Sequence, residues 1–436
     1  MVATLAIGVI AVSGQTAIPT QGEQGRGQGQ GRRGGGPAPD VNLPSSPVAT
    51  VLPTISAEIT GPGPIFESLM ELRPTDDMAS FKYEAHEYFV SGIATGQPYT
   101  TRIVVRRPSD SSRFSGLVLA ESMHPSGNAW MFHFTHAYSM TSGHVGLDIL
   151  TSTSVPFAEF NPERYKGLRV GQGQASEILA QVGALIRSKE ARNPLAGLPL
   201  RKMVLAGTSA SAAVLINYLP AHMVYRQADM KPIYDGFLPT STGATIRQID
   251  VPMVQVPTMT EVTSGTATAR QDGDEAGDQF RVYEFPGMAH IDSRDAAAYY
   301  PNPCKLPISR FPLAAYMSVA LNHLWQWVDN GTVPPRADRI LVDRNVGNDG
   351  SLMALDEYGN ARGGIRNVFV DVPTRKYGVR NEGAVPPIAN AHPFVAVRGE
   401  AAQNQLCGLA GYEIAFTQAQ LKKLYKGKKE QNAANK

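Results

Sequence analysis

Val204-Leu205-Ala206-Gly207-Thr208-Ser209-Ala210-Ser211-Ala212 is the stretch that decides how the rest of the chain is read. Its first half, from Lys202 to Ala206, is a short apolar run of the kind that forms a strand buried on both faces. From Ala210 to Met223, small and apolar residues continue at helical spacing. A serine at such a junction sits in a tight, strained turn that lifts its hydroxyl clear of the sheet. Small neighbours are needed because strand and helix cross closely there, and Gly207, Ala210 and Ser211 are all small. The helix start also aims backbone N–H groups at any charge that develops beside the serine. Ser209 is therefore a candidate nucleophile, although a serine in this place is often only a helix N-cap. The spacing departs from G-x-S-x-G at its last position, where Ser211 stands.

Working outward, strands and helices alternate on both sides of this turn. Tyr83–Ile93 and Tyr99–Arg106 read as an antiparallel hairpin, and Ser115–Glu121 as a buried strand. Trp130–Met140 reads as a helix, Val145–Thr151 as a strand and Ala175–Ser188 as a helix with one apolar face. Asp235–Leu238, Met253–Val256 and Arg281–Phe285 read as further strands. Phe311–Asp329 is a long helix stopped by Asn330-Gly331 and then Pro334-Pro335. Its aromatic residues Phe311, Tyr316, Trp325 and Trp327 are expected in the core. Alternation of this kind predicts an α/β fold, a mostly parallel mixed sheet with helices on both faces. Beyond Pro335 the texture changes to turns and short strands at Arg339–Asp343, Gly350–Leu355 and Val368–Pro373, an extension expected to pack on the sheet domain.

A serine hydroxyl needs a base beside it, and that base needs an acid to orient it. In this strand–turn–helix setting the chain order is serine, acid, histidine. His290 lies in Phe285-Pro286-Gly287-Met288-Ala289-His290, directly after the last strand. Glu261 is the carboxylate that closely follows the strand Val251–Val256. Asp250 lies at the wrong end of that strand, and Asp272, Asp274, Glu275 and Asp278 belong to a polar run that reads as a solvated loop. One oxyanion donor is expected from the Ala210 N–H and a second from the loop Glu121–Gly127, at the backbone of Met123 or a neighbour. His124 in that loop is a possible pocket residue. His133 and His136 share a face of a predicted helix without an H-E-x-x-H pattern, so surface histidines are expected and no metal site.

Bulk properties narrow the class. The apolar fraction of 42% supports a sizeable core, and 40 basic against 38 acidic side chains give no field to attract nucleic acid or an anionic membrane. No apolar run reaches the roughly 18 residues of a membrane span. Leu5–Val12 and the small residues after it predict a secretory signal peptide over 1–17, lacking a basic n-region because Arg26 is the first cation. Residues 18–45 are a Gly/Gln/Arg-rich linker without apolar surface to order it. Periplasmic or secreted localisation follows. The chain has two cysteines, Cys304 and Cys407, which could be buried free thiols but in an exported protein are expected to form a disulfide.

These residues together resemble the α/β-hydrolase-domain proteins of bacteria, from about residue 50 to 425. Its marks are the turn Gly207–Ser211, the acid segment from Val251-Pro252 to Glu261-Val262, and Pro286-Gly287 to His290. The tail adds Trp327–Pro335, Gly359-Asn360-Ala361-Arg362-Gly363-Gly364-Ile365-Arg366, Asp371-Val372-Pro373, Cys407-Gly408-Leu409 with Gly411-Tyr412, and Leu421 to Tyr425. Ala210 stands where the family usually carries Gln, and His124 near a usual Asn. The resemblance implies the α/β-hydrolase fold, a core over 46–335, an extension over 336–436 that belongs to the same domain, and the Gly363–Arg366 turn near the pocket, with Arg366 a possible pocket residue.

The expected chemistry is hydrolysis of a small-molecule carboxylic ester through an acyl-enzyme, with Ser209, His290 and Glu261 as triad and no cofactor. An amidase, lactonase or peptidase with the same triad stays open, as does a non-catalytic binding protein on this fold.

Overall fold

Apolar residues alternate between two sides of one sheet with a period of two. Val118 and Ala120 face one core and Leu117 and Leu119 the other; Met203 and Leu205 face the first, Val204 and Ala206 the second. In the computed structural model the described residues are 43–427, apart from 71, 73–74, 153–156, 265–269, 293–301, 344–351 and 385–402. The expected leader over 1–17 and nearly all of the linker over 18–45 lie outside them.

The main sheet has nine strands: β1 (Thr54–Ile55), β2 (Tyr83–Ala94), β3 (Gln97–Pro108), β4 (Leu117–Ser122), β5 (Val145–Ile149), β6 (Lys202–Thr208), β7 (Gly236–Thr240), β8 (Met253–Gln255) and β9 (Phe280–Val282). Their spatial order is β9-β8-β7-β6-β4-β5-β3-β2-β1. The pairs β1–β2, β2–β3 and β3–β5 are antiparallel. From β5 to β9 every pair is parallel. Parallel neighbours require crossovers, and the crossovers lay helices on both faces. The main helices are α1 (Trp130–Thr141), α2 (Ala175–Arg187), α3 (Ala210–Val224), α4 (Met259–Thr263) and α5 (Leu313–Asn330). Residues of α2 and α3 pack with Tyr218, Tyr234 and Phe237 on one face. Those of α1 and α5 pack on the other with Phe132, Phe311, Trp325 and Trp327, all buried. Gly331, at a φ of 72°, caps α5 in the left-handed conformation that its sequence position suggested.

The extension departs from the sequence reading in detail. Val368–Asp371 is a short helix and not a strand, because Asn367 caps it by accepting the Phe369 N–H at 3.1 Å. Residues 339–343 and 352–355 make single bridges, Ile340 with Gly363, Val342 with Met353 and Leu355 with Ala361, instead of continuous strands. Among the described residues of the extension, a regular ladder joins β10 (Arg375–Gly378) to β11 (Tyr412–Ala415). Cys304 and Cys407 form a buried disulfide with Cα atoms 5.6 Å apart, so the free-thiol alternative falls away.

Candidate active site

Parallel β4, β6, β8 and β9 end at the same edge of the sheet, and the loops leaving them carry His124, Ser209, Glu261 and His290. Open α/β sheets place their ligands at this carboxyl edge. At the β6–α3 turn Ser209 adopts φ 54° and ψ −119°, a conformation costing an L-residue about 1–3 kcal/mol. Three contacts over-determine it. Its N–H donates to the Thr240 carbonyl at 3.1 Å. The Ser211 hydroxyl accepts the Thr208 N–H and donates to the Thr208 carbonyl, both at 2.9 Å. A Cβ on Gly207 would meet the Ser211 carbonyl oxygen at 2.6 Å, so only glycine fits the crossing. Ser211, which breaks the expected spacing, thus fastens the turn.

An N-cap serine would accept a first-turn N–H with its hydroxyl. Ser209 does not; no side-chain cap bond is made. Its half-buried hydroxyl stands at the start of a 15-residue helix, beside the exposed Ala210.

Glu261 and His290 are joined by more than their side chains. Glu261 lies on α4, whose start is a capping box: the Thr258 N–H and hydroxyl donate to Glu261 Oε2 at 2.8 and 2.7 Å. That leaves Oε1 facing His290 Nδ1 at 2.8 Å. The Met259 N–H donates to the Met288 carbonyl at 2.9 Å, and the His290 N–H to Thr260 Oγ1 at 3.2 Å. Gly287 makes the loop possible, with φ 98° and the ring of Phe311 only 2.7 Å from where a Cβ would stand. Burial alone would raise the Glu261 carboxyl, but the hydrogen bond and charge of His290 and the two Thr258 bonds outweigh it and hold it low. The roles of Thr258 and Thr260 went unread in the sequence, although Thr258-Met259-Thr260-Glu261 is the T-x-x-E capping pattern. Between Ser209 Oγ and the imidazole of His290 no hydrogen bond is formed, so the structure joins His290 to Glu261 and not to Ser209.

The loop after β4 differs from expectation. Met123 cannot serve as an oxyanion donor, because its N–H continues the ladder to the Ile149 carbonyl at 2.8 Å. The His124 N–H is likewise committed to the Asn128 carbonyl at 2.9 Å. Glu121, buried, accepts the Met131 and Phe132 N–H groups at 3.0 and 2.8 Å and so anchors α1 to β4. Burial and the charge of nearby His290 push the His124 imidazole down to about 4.

The Arg366 guanidinium pairs with Asp371 at 2.6 Å and reaches the Ala361 and Val370 carbonyls at 3.2 Å, all within its own segment. The neighbouring turn does brace the His290 loop from behind, through the Ile365 N–H on the Glu284 carbonyl and Asn367 Nδ2 on the Pro286 carbonyl, both at 2.8 Å.

The remaining candidates stand apart. His133 is buried against Trp130 and Phe134, not on the helix surface, because α1 is covered there. Asp274 is paired with Arg281 and with Arg336 at 2.5 Å, and Asp278 with Arg270 at 2.6 Å. Asp250 bonds His222 at 2.9 Å, at the other end of β8. Among the described residues no cluster of three or more His, Cys, Asp or Glu could hold a metal ion, and no helix is long and apolar enough to cross a membrane.

No curated protein matches the chain. Among solved structures it is similar to a brefeldin A esterase, a bacterial homologue of human hormone sensitive lipase, at 14% identity over 40% of this chain and a TM-score of 0.27. The chain spans 43% of that esterase's length. It is also similar to XC6422 from Xanthomonas campestris, a serine hydrolase without a lid (10% identity, 55% of this chain and 94% of that one, TM-score 0.33). A thermostable esterase from Pseudomonas putida ECU1011 is similar at 11% identity, covering 59% of this chain and 91% of that one, with a TM-score of 0.34. Residues 47–434 match the family model of the alpha/beta hydrolase domain, and the chain belongs to that family.

Proposed function

We propose that this chain is a serine hydrolase that cleaves a small-molecule carboxylic ester through an acyl-enzyme. Ser209 Oγ adds to the carbonyl carbon, its proton passes to His290 Nε2, and the carbonyl electron pair moves onto oxygen. Collapse breaks the bond to the alcohol, which takes the proton from His290; water then repeats the sequence and releases the acid. Glu261 keeps Nδ1–H of His290 turned toward itself and stabilises the imidazolium. The Ala210 N–H, at the positive end of α3, is one oxyanion donor.

The observation that carries this reading is the 2.8 Å pair of Glu261 and His290 at the edge where a strained serine leaves its hydroxyl uncapped. Hydrogen bonds between nucleophile and base are often long without substrate and tighten when it binds. Labelling with a fluorophosphonate probe tests the reading. One adduct at Ser209, lost in Ser209→Ala together with turnover of p-nitrophenyl esters, is the expected result. An unlabelled Ser209 would speak for a binding protein on the same fold. Faster cleavage of anilides or lactones than of esters would move the substrate class to those bonds. The buried Cys304–Cys407 bridge supports a periplasmic or secreted setting, which cell fractionation tests.

A further inference from the structure

With the Met123 N–H committed to Ile149, the second oxyanion donor has to come from elsewhere in the loop after β4. From Met123 to Gly127 the backbone offers no free donor. The N–H groups of His124 and Gly127 bond the carbonyls of Asn128 and His124, that of Ser126 bonds His124 Nδ1, and Pro125 has none. The side chain of His124 is differently placed. The Ser126 N–H donates to His124 Nδ1 at 3.1 Å. A backbone N–H can only donate, so Nδ1 presents its lone pair and the ring proton sits on Nε2. The Ser126 hydroxyl lies 2.8 Å from the same nitrogen and is itself held by Trp130 Nε1 at 3.2 Å. His124 Nε2 makes no hydrogen bond with any described residue.

Register brings its loop to the edge that carries Ser209. β4 and β6 are parallel neighbours with Glu121 opposite Ala206. His124 and Ser209 each lie three residues beyond that pair, in the loops that leave the two strands at the same edge. The loop that carries the imidazole is anchored at both ends, by the Met123 bond to Ile149 and by Glu121 on the first turn of α1.

We propose that His124 is a further catalytic residue, donating a hydrogen bond from Nε2–H to the oxyanion formed when Ser209 adds to the substrate carbonyl. The inference rests on the serine-hydrolase reading above. His124 gives up no proton in this step: Ser209 loses its proton to His290, and His124 with the Ala210 N–H only stabilises the charge left on oxygen. Burial, the larger cause, holds the imidazole low and so favours its neutral form. A neutral donor suits the position, since a second imidazolium there would oppose protonation of His290 in the intermediate.

The test compares the full-length protein with His124→Leu and His124→Gln on p-nitrophenyl acetate. Loss of one oxyanion donor predicts a kcat lower by about 10²–10³-fold in His124→Leu with KM within a few-fold. His124→Gln, which keeps an N–H donor, recovers part of that loss. A kcat within about threefold of wild type in His124→Leu, or an effect confined to KM, overturns the proposal. Failure of the underlying reading looks different: the fluorophosphonate probe then leaves wild-type Ser209 unmodified. Should His124→Leu not fold, ¹⁵N-histidine NMR of the wild-type protein with a trifluoromethyl ketone decides. Nδ1 unprotonated and an Nε2–H resonance moving downfield on binding support the donor; a protonated Nδ1 or an unmoved Nε2–H refutes it.

Discussion

The parallel half of the sheet and the C-terminal extension hold the same histidine loop by different means. Between β4 and β9 the position of each strand end follows from a backbone ladder and from side chains alternating between two buried faces. Among its described residues the extension has one four-residue ladder, and it grips the loop through separate contacts. These are Ile365 and Asn367 on residues 284–286, Gly411 on the Ile291 carbonyl at 3.1 Å, and the Cys304–Cys407 bridge. The sheet sets where Ser209, Glu261 and His290 stand, while the extension adds the contacts that hold the His290 loop.

The largest effect separates chemistry from scaffold. Ser209→Gly should lower ester hydrolysis by at least about 10⁴-fold while raising stability by about 1 kcal/mol, because glycine accepts a φ of 54° without strain. Equal or lower stability by urea melts would mean that the turn stores no strain.

Removing the bridge probes the other side of the comparison. Reduction, or Cys304→Ser with Cys407→Ser, should cost about 4–5 kcal/mol for a loop spanning a sequence separation of 103. Activity should fall in step, since Ile291, next to His290, bridges Ala410 three residues from Cys407. A reduced protein as active and stable as the oxidised one would show that the extension does not brace the site.

Acid should weaken the parallel half. Burial holds both His124 and His144 down to about 4, against 6.5 for the unfolded chain. Between those values the unfolded chain binds the extra protons. Stability is therefore complete above pH 6.5 and declines as the pH falls toward 4, by a few kcal/mol in order of magnitude. Urea midpoints at pH 7.5 and 5 measure it, and His144→Gln should flatten the dependence.

The smallest effect belongs to Arg366. Because its partners all lie within residues 361–371, Arg366→Ala should cost about 1 kcal/mol and leave kcat/KM within twofold. A tenfold fall in kcat/KM would return Arg366 to the pocket.

What was legible in the sequence follows the same division. The β6–α3 turn, the strand alternation and the pairing of Glu261 with His290 could be read because each depends on local pattern and on position after a strand. The two cysteines could be paired because no others compete. Met123 could not be judged, since whether its N–H is available depends on one further ladder bond to Ile149, more than twenty residues away. The partners of Arg366, the burial of His133 and the helix at Val368–Asp371 likewise turn on contacts or caps that β-branched composition and helical spacing do not reveal.

The account stands on Ser209 and His290 working as one unit oriented by Glu261, and a double-mutant cycle on ester hydrolysis measures that directly. If they act together, Ser209→Ala with His290→Ala is no slower than either single variant, because the first substitution already removes the shared step. If the two losses multiply, the side chains act independently and the proposed triad is wrong.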